Sequence, residues 1–248
     1  MKIIINCDDL GISEPVNDAI FDLMKEGRVT SATLMVNGGA VEDAVNRLGQ
    51  FPHCSFGVHL NGTEFAPVSS HPGLAPLLND KGEFAGNLRK VPFTSAIRAG
   101  MLAEWTAQVD RAMTLGVPIS HVDSHHHVHT EPRLFRILKQ IQRRFSIRRI
   151  RISRNLYGTR ESIPLTLRVS KAGWNFALRH YVPTRTTQTF GSFSMFYERA
   201  QAGIPWHGPI ELMVHPGAAR FAAETALLWG DWKRQFANNS ELISFNDL

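Results

Sequence analysis

Short runs rich in Val, Ile and other apolar residues alternate along this chain with segments whose apolar residues recur at helical spacing. Lys2 to Cys7 reads as a buried strand. Glu14 to Glu26 then carries Val16, Ala19, Ile20, Leu23 and Met24 on one helical face and is closed by Gly27. Ser31 to Val36 repeats the strand pattern, Val41 to Leu48 the helical one, and Ser55 to Leu60 is a third strand. Such β-α-β-α-β alternation calls for parallel strands joined by helical crossovers. The rhythm resumes with a helix over 94–115 and a strand over 117–122. A helix over 134–145, a strand over 147–152 and a helix over 165–181 follow. A weak strand near 186–190, a clear one at 210–214 and a helix over 221–236 complete the pattern. The expectation is one α/β domain over 1–248, a (β/α) barrel-like fold of six or seven β/α units. Residues 61–92, rich in proline and glycine, break the pattern and are expected to form a long loop that covers a substrate.

Composition narrows the function classes. With 43% hydrophobic and 20% charged residues in 248, the chain has ample material for a core. No apolar run approaches the length that spans a bilayer. The two cysteines, Cys7 and Cys54, cannot form a disulfide framework, and residues 1–6 are too short an apolar stretch for a secretory signal. A cytoplasmic location is the expectation. The net charge of +5 is uneven. Residues 132–197 hold fourteen Lys/Arg and one acid, Glu161, so that segment carries +13 and the rest of the chain −8. Asymmetry of this kind can mark a surface that meets an anion. The 165–181 helix mixes Arg168, Lys171 and Arg179 with Leu165, Val169, Ala172, Trp174, Phe176 and Leu178, a composition suited to an acidic membrane surface. No zinc finger or other nucleic-acid motif accompanies the cations, and no nucleic-acid partner is expected.

Four polar clusters fall where strands give way to loops: Asp8-Asp9, His59, the stretch His121-Val122-Asp123-Ser124-His125-His126-His127-Val128-His129, and His215-Pro216-Gly217. Parallel β/α folds assemble their sites at that edge. Two adjacent carboxylates repel each other unless a cation binds one, which leaves the other free to act as a base. In an extended backbone His125, His127 and His129 would share a face. One carboxylate with two imidazoles leaves coordination positions open for water and substrate, and suits zinc or another divalent first-row metal. Together these parts describe metal-assisted hydrolysis of an amide or ester. An amidohydrolase or phosphoesterase is a second reading, and a basic nucleic-acid-binding protein with a structural metal a third.

Cys7-Asp8-Asp9-Leu10-Gly11, Gly57-Val58-His59, the histidine stretch and Met213-Val214-His215-Pro216-Gly217 resemble the YdjC/ChbG-type carbohydrate deacetylases. The resemblance is densest in 1–60 and 117–131 and returns at 210–217. It implies a barrel-like fold, a divalent metal commonly given as magnesium, and removal of acetyl groups from N-acetylated sugars. By position, Asp9, His59 and His125 look like the metal ligands, Asp8 the general base and His215 the general acid. His127, His129, Arg151 and Asn61 look like substrate-binding residues. The implied partner is an acetylated sugar, free or carried on an anionic lipid or polymer. A homodimer and peripheral membrane contact are compatible with the reading.

Overall fold

Side chains alternate across a strand, so β1 (Lys2–Leu10) sends Ile3, Ile5 and Cys7 to one side and Ile4, Asn6 and Asp8 to the other. Both rows are buried, as they must be in a parallel sheet covered on both faces. The apolar row packs beneath helices. The mixed row points into the fold and becomes progressively more polar toward the carboxyl end. A computed structural model describes residues 2–206, 208–236 and 240–248.

Six parallel strands lie in the order β4-β3-β2-β1-β6-β5, with β2 at Ser31–Leu34, β3 at Ser55–Leu60, β4 at Ile119–Ser124, β5 at Thr189–Ser192 and β6 at Ile210–Val214. A two-residue β7 (Glu241–Leu242) pairs with the start of β1. Helices α1 (Glu14–Lys25), α2 (Val41–Arg47), α3 (Ser95–Thr114), α4 (Phe135–Arg144), α5 (Leu165–His180), α6 (Phe193–Gln201), α7 (Ala222–Trp229) and α8 (Trp232–Phe236) connect or follow them. The expected single helix over 221–236 is two helices, parted at Gly230 and Asp231. Helix α6 has no counterpart among the expected elements.

The expected strand at 147–152 is not a ladder strand. The Val122 and Arg151 amides donate to Arg149 and Val122 carbonyls at 3.1 Å, which joins this segment to β4. On its other side the Ile150 amide donates to the Arg185 carbonyl and the Arg185 amide to the Arg148 carbonyl, and the amides of Asn155 and Leu156 both donate to the Phe190 carbonyl in β5. The segment therefore spans the gap between the two outer strands and curls the sheet into a barrel. Its irregularity follows from its two tasks, since it must leave β4 to reach β5 within a few residues.

The barrel interior is layered. At the amino-terminal end Ile4, Ile243 and Phe245 form a small apolar cluster, and the His121 ring stacks on Phe245 at 3.6 Å. Above it Asn6 accepts from Ser31 Oγ at 2.7 Å and donates to Thr33 Oγ1 at 3.1 Å. Gly57 admits the His121 ring here, for a Cβ at that position would come within 2.7 Å of it. The carboxyl-end layer is almost wholly ionisable.

The 61–92 segment is long, as expected, but it is not structureless. It contains a short 3-10 turn at Pro72–Leu77 and buries Leu74, Leu77, Phe84 and Leu88. Glu104 on α3 accepts the Val68 and Ser69 amides, which pins the segment against that helix.

Candidate active site

The first strand runs to Leu10, so Asp8 and Asp9 sit within its end rather than beyond it. Asp9 adopts a left-handed φ of 68°. A non-glycine residue held there is strained, a condition typical of functional positions. The surrounding turn enforces it. Ile12 donates to the Asp9 carbonyl, Gly11 donates to Asn17 Oδ1 at 2.7 Å, and fully buried Asn17 also bonds to the Ala40 carbonyl and Asp43.

Three of the expected residues meet here. Asp9 Oδ1 lies 2.9 Å from His125 Nδ1 and 3.3 Å from His59 Nε2, and one donor atom from each of the three lies within 4.8 Å of the others. All three residues are buried. Asp123 Oδ1 takes His59 Nδ1 at 2.6 Å, and Thr33 Oγ1 lies 3.1 Å from the same nitrogen, so Nε2 is the atom turned toward Asp9. A carboxylate behind an imidazole is the usual support for a ligating histidine. Burial by itself would depress the His59 imidazole, but Asp123, Asp9 and Asp8 surround it and push it up to about 10. Burial likewise opposes ionisation of Asp9, and its bonds to His125 and His59 outweigh that and hold it well below the usual carboxylate range. His125 Nε2 is buried and makes no hydrogen bond, although Glu64 Oε2 stands 3.3 Å away at the mouth. A buried set of one carboxylate and two imidazoles, one with an unsatisfied nitrogen, fits a divalent cation.

Beside this cluster, Arg151 is fully buried and meets three acids. Its guanidinium grips Asp8 with two bonds of 2.7 and 2.8 Å, reaches Asp123 Oδ2 at 2.6 Å, and donates through Nε to Glu211 Oε1 at 2.6 Å. Its charge overcomes the burial of Asp8 and keeps that carboxyl well below its ordinary range. One guanidinium cannot serve three anions equally. Burial pushes Glu211 up to about 7 despite Arg151, and its Oε2 has no partner. Arg151, expected among the substrate-binding residues, is fully buried in this structure, where its guanidinium fixes Asp8.

The histidine stretch departs from the expected extended geometry. Residues 125–130 form a 3-10 turn in which His126 and His127 have φ of 50° and 54°, so His125, His127 and His129 do not share a face. His125 turns to Asp9. His127 is half-buried, lies edge-on to Phe190 and is depressed to about 3 by burial and by Arg151. His129 is fully buried, with Nδ1 on Ser124 Oγ and Nε2 on the Arg151 carbonyl. It braces the seam rather than lining a pocket. Asn61 is also fully buried. Its Oδ1 accepts the Gly62 and Thr63 amides and its Nδ2 donates to the Glu64 carbonyl, so it shapes the turn that carries Glu64 to the mouth.

A cleft of about 470 Å³ opens beside the cluster, lined by residues that include Asp9, Glu64, His125, His215 and Arg220. His215 is half-buried, and its ring stacks on Phe221 at 4.3 Å. The arrangement can hold a cation, keep a carboxylate ionised beside it and present an imidazole from the facing wall.

Four contributors have no role assigned from the sequence: Thr33, Glu211, Glu64 and Asp123, the last noted only as part of the histidine stretch. Asp123 carried a usable signal, because it shares strand parity with His121 and so points inward. Glu211 is a lone acid in an otherwise apolar strand, which was also visible.

Solved structures share this architecture. A protein of Enterococcus faecalis V583 named for cellobiose-phosphate cleavage superposes with a TM-score of 0.79 at 20% identity, over 99% of this chain and 98% of its own. The lactam utilization protein of Thermus thermophilus gives 0.53 at 16% identity, over 98% and 100%. Those likenesses speak to the fold. A carbohydrate deacetylase of Brevibacillus brevis is 30% identical over 248 residues, covering 100% of this chain and 93% of its own. One from Vibrio campbellii is 35% identical over 147 residues, which are 59% of this chain and 57% of that protein. The match thus spans little more than half of the Vibrio relative. The sequence model of the YdjC-like proteins matches residues 2–241. That match runs through both the aspartate pair and the histidine stretch, and the chain belongs to the YdjC-like family.

Proposed function

We propose that this chain is a divalent-metal-dependent hydrolase that removes the acetyl group from an N-acetylated sugar. The observation that carries the reading is the convergence of Asp9, His59 and His125 on one buried point at the barrel mouth. The relatives named carbohydrate deacetylases support the substrate class.

Asp9, His59 and His125 would hold the cation. Two imidazoles favour zinc on grounds of ligand softness, whereas the family resemblance implies magnesium. When bound, the ion supplies Lewis-acid polarisation of the acetyl carbonyl and an acidified water. Asp8 is the general base. Arg151 keeps it ionised and oriented; Oδ1 accepts from both Arg151 and Asn6 Nδ2, whereas Oδ2 accepts from Arg151 alone and retains a lone pair to take a proton from the attacking water. His215 is the general acid that protonates the departing amine, with its ring plane set by Phe221. The 61–92 segment shapes the sugar pocket and brings Glu64 to its rim.

Release of acetate from a panel of N-acetylated sugars tests the reading. Turnover should vanish after chelation and return with added zinc or magnesium. Acetate release untouched by chelators, or no release from any acetylated sugar by the reconstituted protein, would sink it.

A further inference from the structure

Helix α5 carries two apolar faces, and among the described residues only one of them has a partner. Asn175 and Leu178 are its buried residues, and Trp174 packs beside them against the core. On the other side Leu165, Val169, Ala172 and Phe176 follow one another at steps of four, three and four residues, which aligns them in a single stripe. That stripe stands in solvent: Leu165 is 73% exposed, Val169 63% and Phe176 65%. Among the described residues seven large hydrophobic side chains are exposed, and five of them fall between Leu165 and Tyr181. Residues 164–170 are all exposed, so the first turns of the helix rest on almost nothing. A helix of this length is marginal in water by itself, and a contiguous exposed apolar patch marks an interaction surface.

The charge around the stripe selects the partner. From Arg154 to Arg185 the chain has six Lys/Arg and one acid, Glu161, which Arg154 already pairs. Exposed Arg168 and half-buried Arg179 lie along one flank of the stripe. A second copy docking through the same face would bring these cations together around a two-fold axis, an unfavourable arrangement. An apolar stripe flanked by cations matches an anionic phospholipid surface, where the side chains enter the headgroup boundary and the cations meet phosphates. We infer that α5 docks this chain on bilayers rich in anionic phospholipid. The inference does not depend on the deacetylase reading.

Co-sedimentation of the full chain with phosphatidylcholine vesicles, with and without phosphatidylglycerol, tests it. The chain should pellet with the mixed vesicles, should stay in solution with the neutral ones, and should be released by added salt. Val169→Asp with Phe176→Asp should weaken the binding by about tenfold or more. The thermal melt of that double variant should be unchanged, because both side chains are in solvent. Equal binding to both vesicle types, binding to neither, or full binding by the double variant overturns the proposal. Self-association that the double variant abolishes, without vesicle binding, assigns the stripe to a second copy and overturns it too.

Discussion

Arg151 and Asp8, 143 residues apart, share two parallel hydrogen bonds of 2.8 and 2.7 Å inside the barrel, with Arg151 fully enclosed and the Asp8 side chain only 2% exposed. A planar fork on a carboxylate fixes orientation as well as charge. Removing one partner of such a pair strands the other in a low-dielectric interior. Arg151→Ala should therefore cost about 3–5 kcal/mol in denaturant unfolding. Arg151→Lys keeps the charge without the fork and should remain better folded. A lysine variant as unstable as the alanine one would show that charge is not what the three acids require.

The roles of the aspartate pair separate on two readouts. Asp8→Asn should retain the metal and lose about 10²–10⁴-fold in turnover, as expected for a missing base. Asp9→Ala should lose the metal itself. His215→Ala should slow turnover with metal content intact, measured by elemental analysis beside the acetate assay. An active Asp8→Asn variant removes that residue from the mechanism.

Asp123 acts behind His59, and its effect should appear in affinity. Asp123→Asn leaves a hydrogen-bonding group at nearly the same volume but withdraws the charge. Metal affinity should fall about 10–100-fold by competition with a chromogenic chelator. An unchanged affinity would mean that Thr33 alone suffices to orient the imidazole.

Glu211 predicts a pH dependence of stability. Its folded value, pushed up to about 7 by burial, exceeds its ordinary 4.5, so the folded state holds an extra proton between the two. Its stabilising contribution is complete below about 4.5 and is lost as pH rises through about 7, on the order of 3 kcal/mol in all. Glu211→Gln mimics the protonated form and should flatten the decline, which denaturant melts at pH 5 and pH 8 would show. A wild-type stability that does not fall over this interval contradicts the assignment.

Much of the fold was legible because its first half obeys simple periodicities. The strands at 31–36 and 55–60 and the helices at 14–26 and 41–48 emerge nearly where spacing predicts. The ligand candidates were legible too, because Asp9, His59 and His125 each sit at a strand's carboxyl end. Reach was not legible. Arg151 looked like a pocket residue, since nothing local reveals that three acids from β1, β4 and β6 surround it. His129 and Asn61 misled for the opposite reason: their polar atoms are consumed within a few residues by turns that periodicity does not encode. The left-handed backbone at His126 and His127 falsified the shared histidine face, and β-alternation holds no warning of it.

The stretch from Arg149 to Leu156 joins β4 to β5 with scattered bonds where its neighbours have continuous ladders. Such a join should behave as the barrel's zipper end, opening in local excursions that leave β1, β2 and β3 intact. In amide hydrogen exchange, Ile150, Asn155 and Leu156 should lose protection well before Ile5 or Val58. Because Arg151 rides on that strip, each opening would also slacken its grip on Asp8, and breathing of the wall would become coupled to readiness of the base.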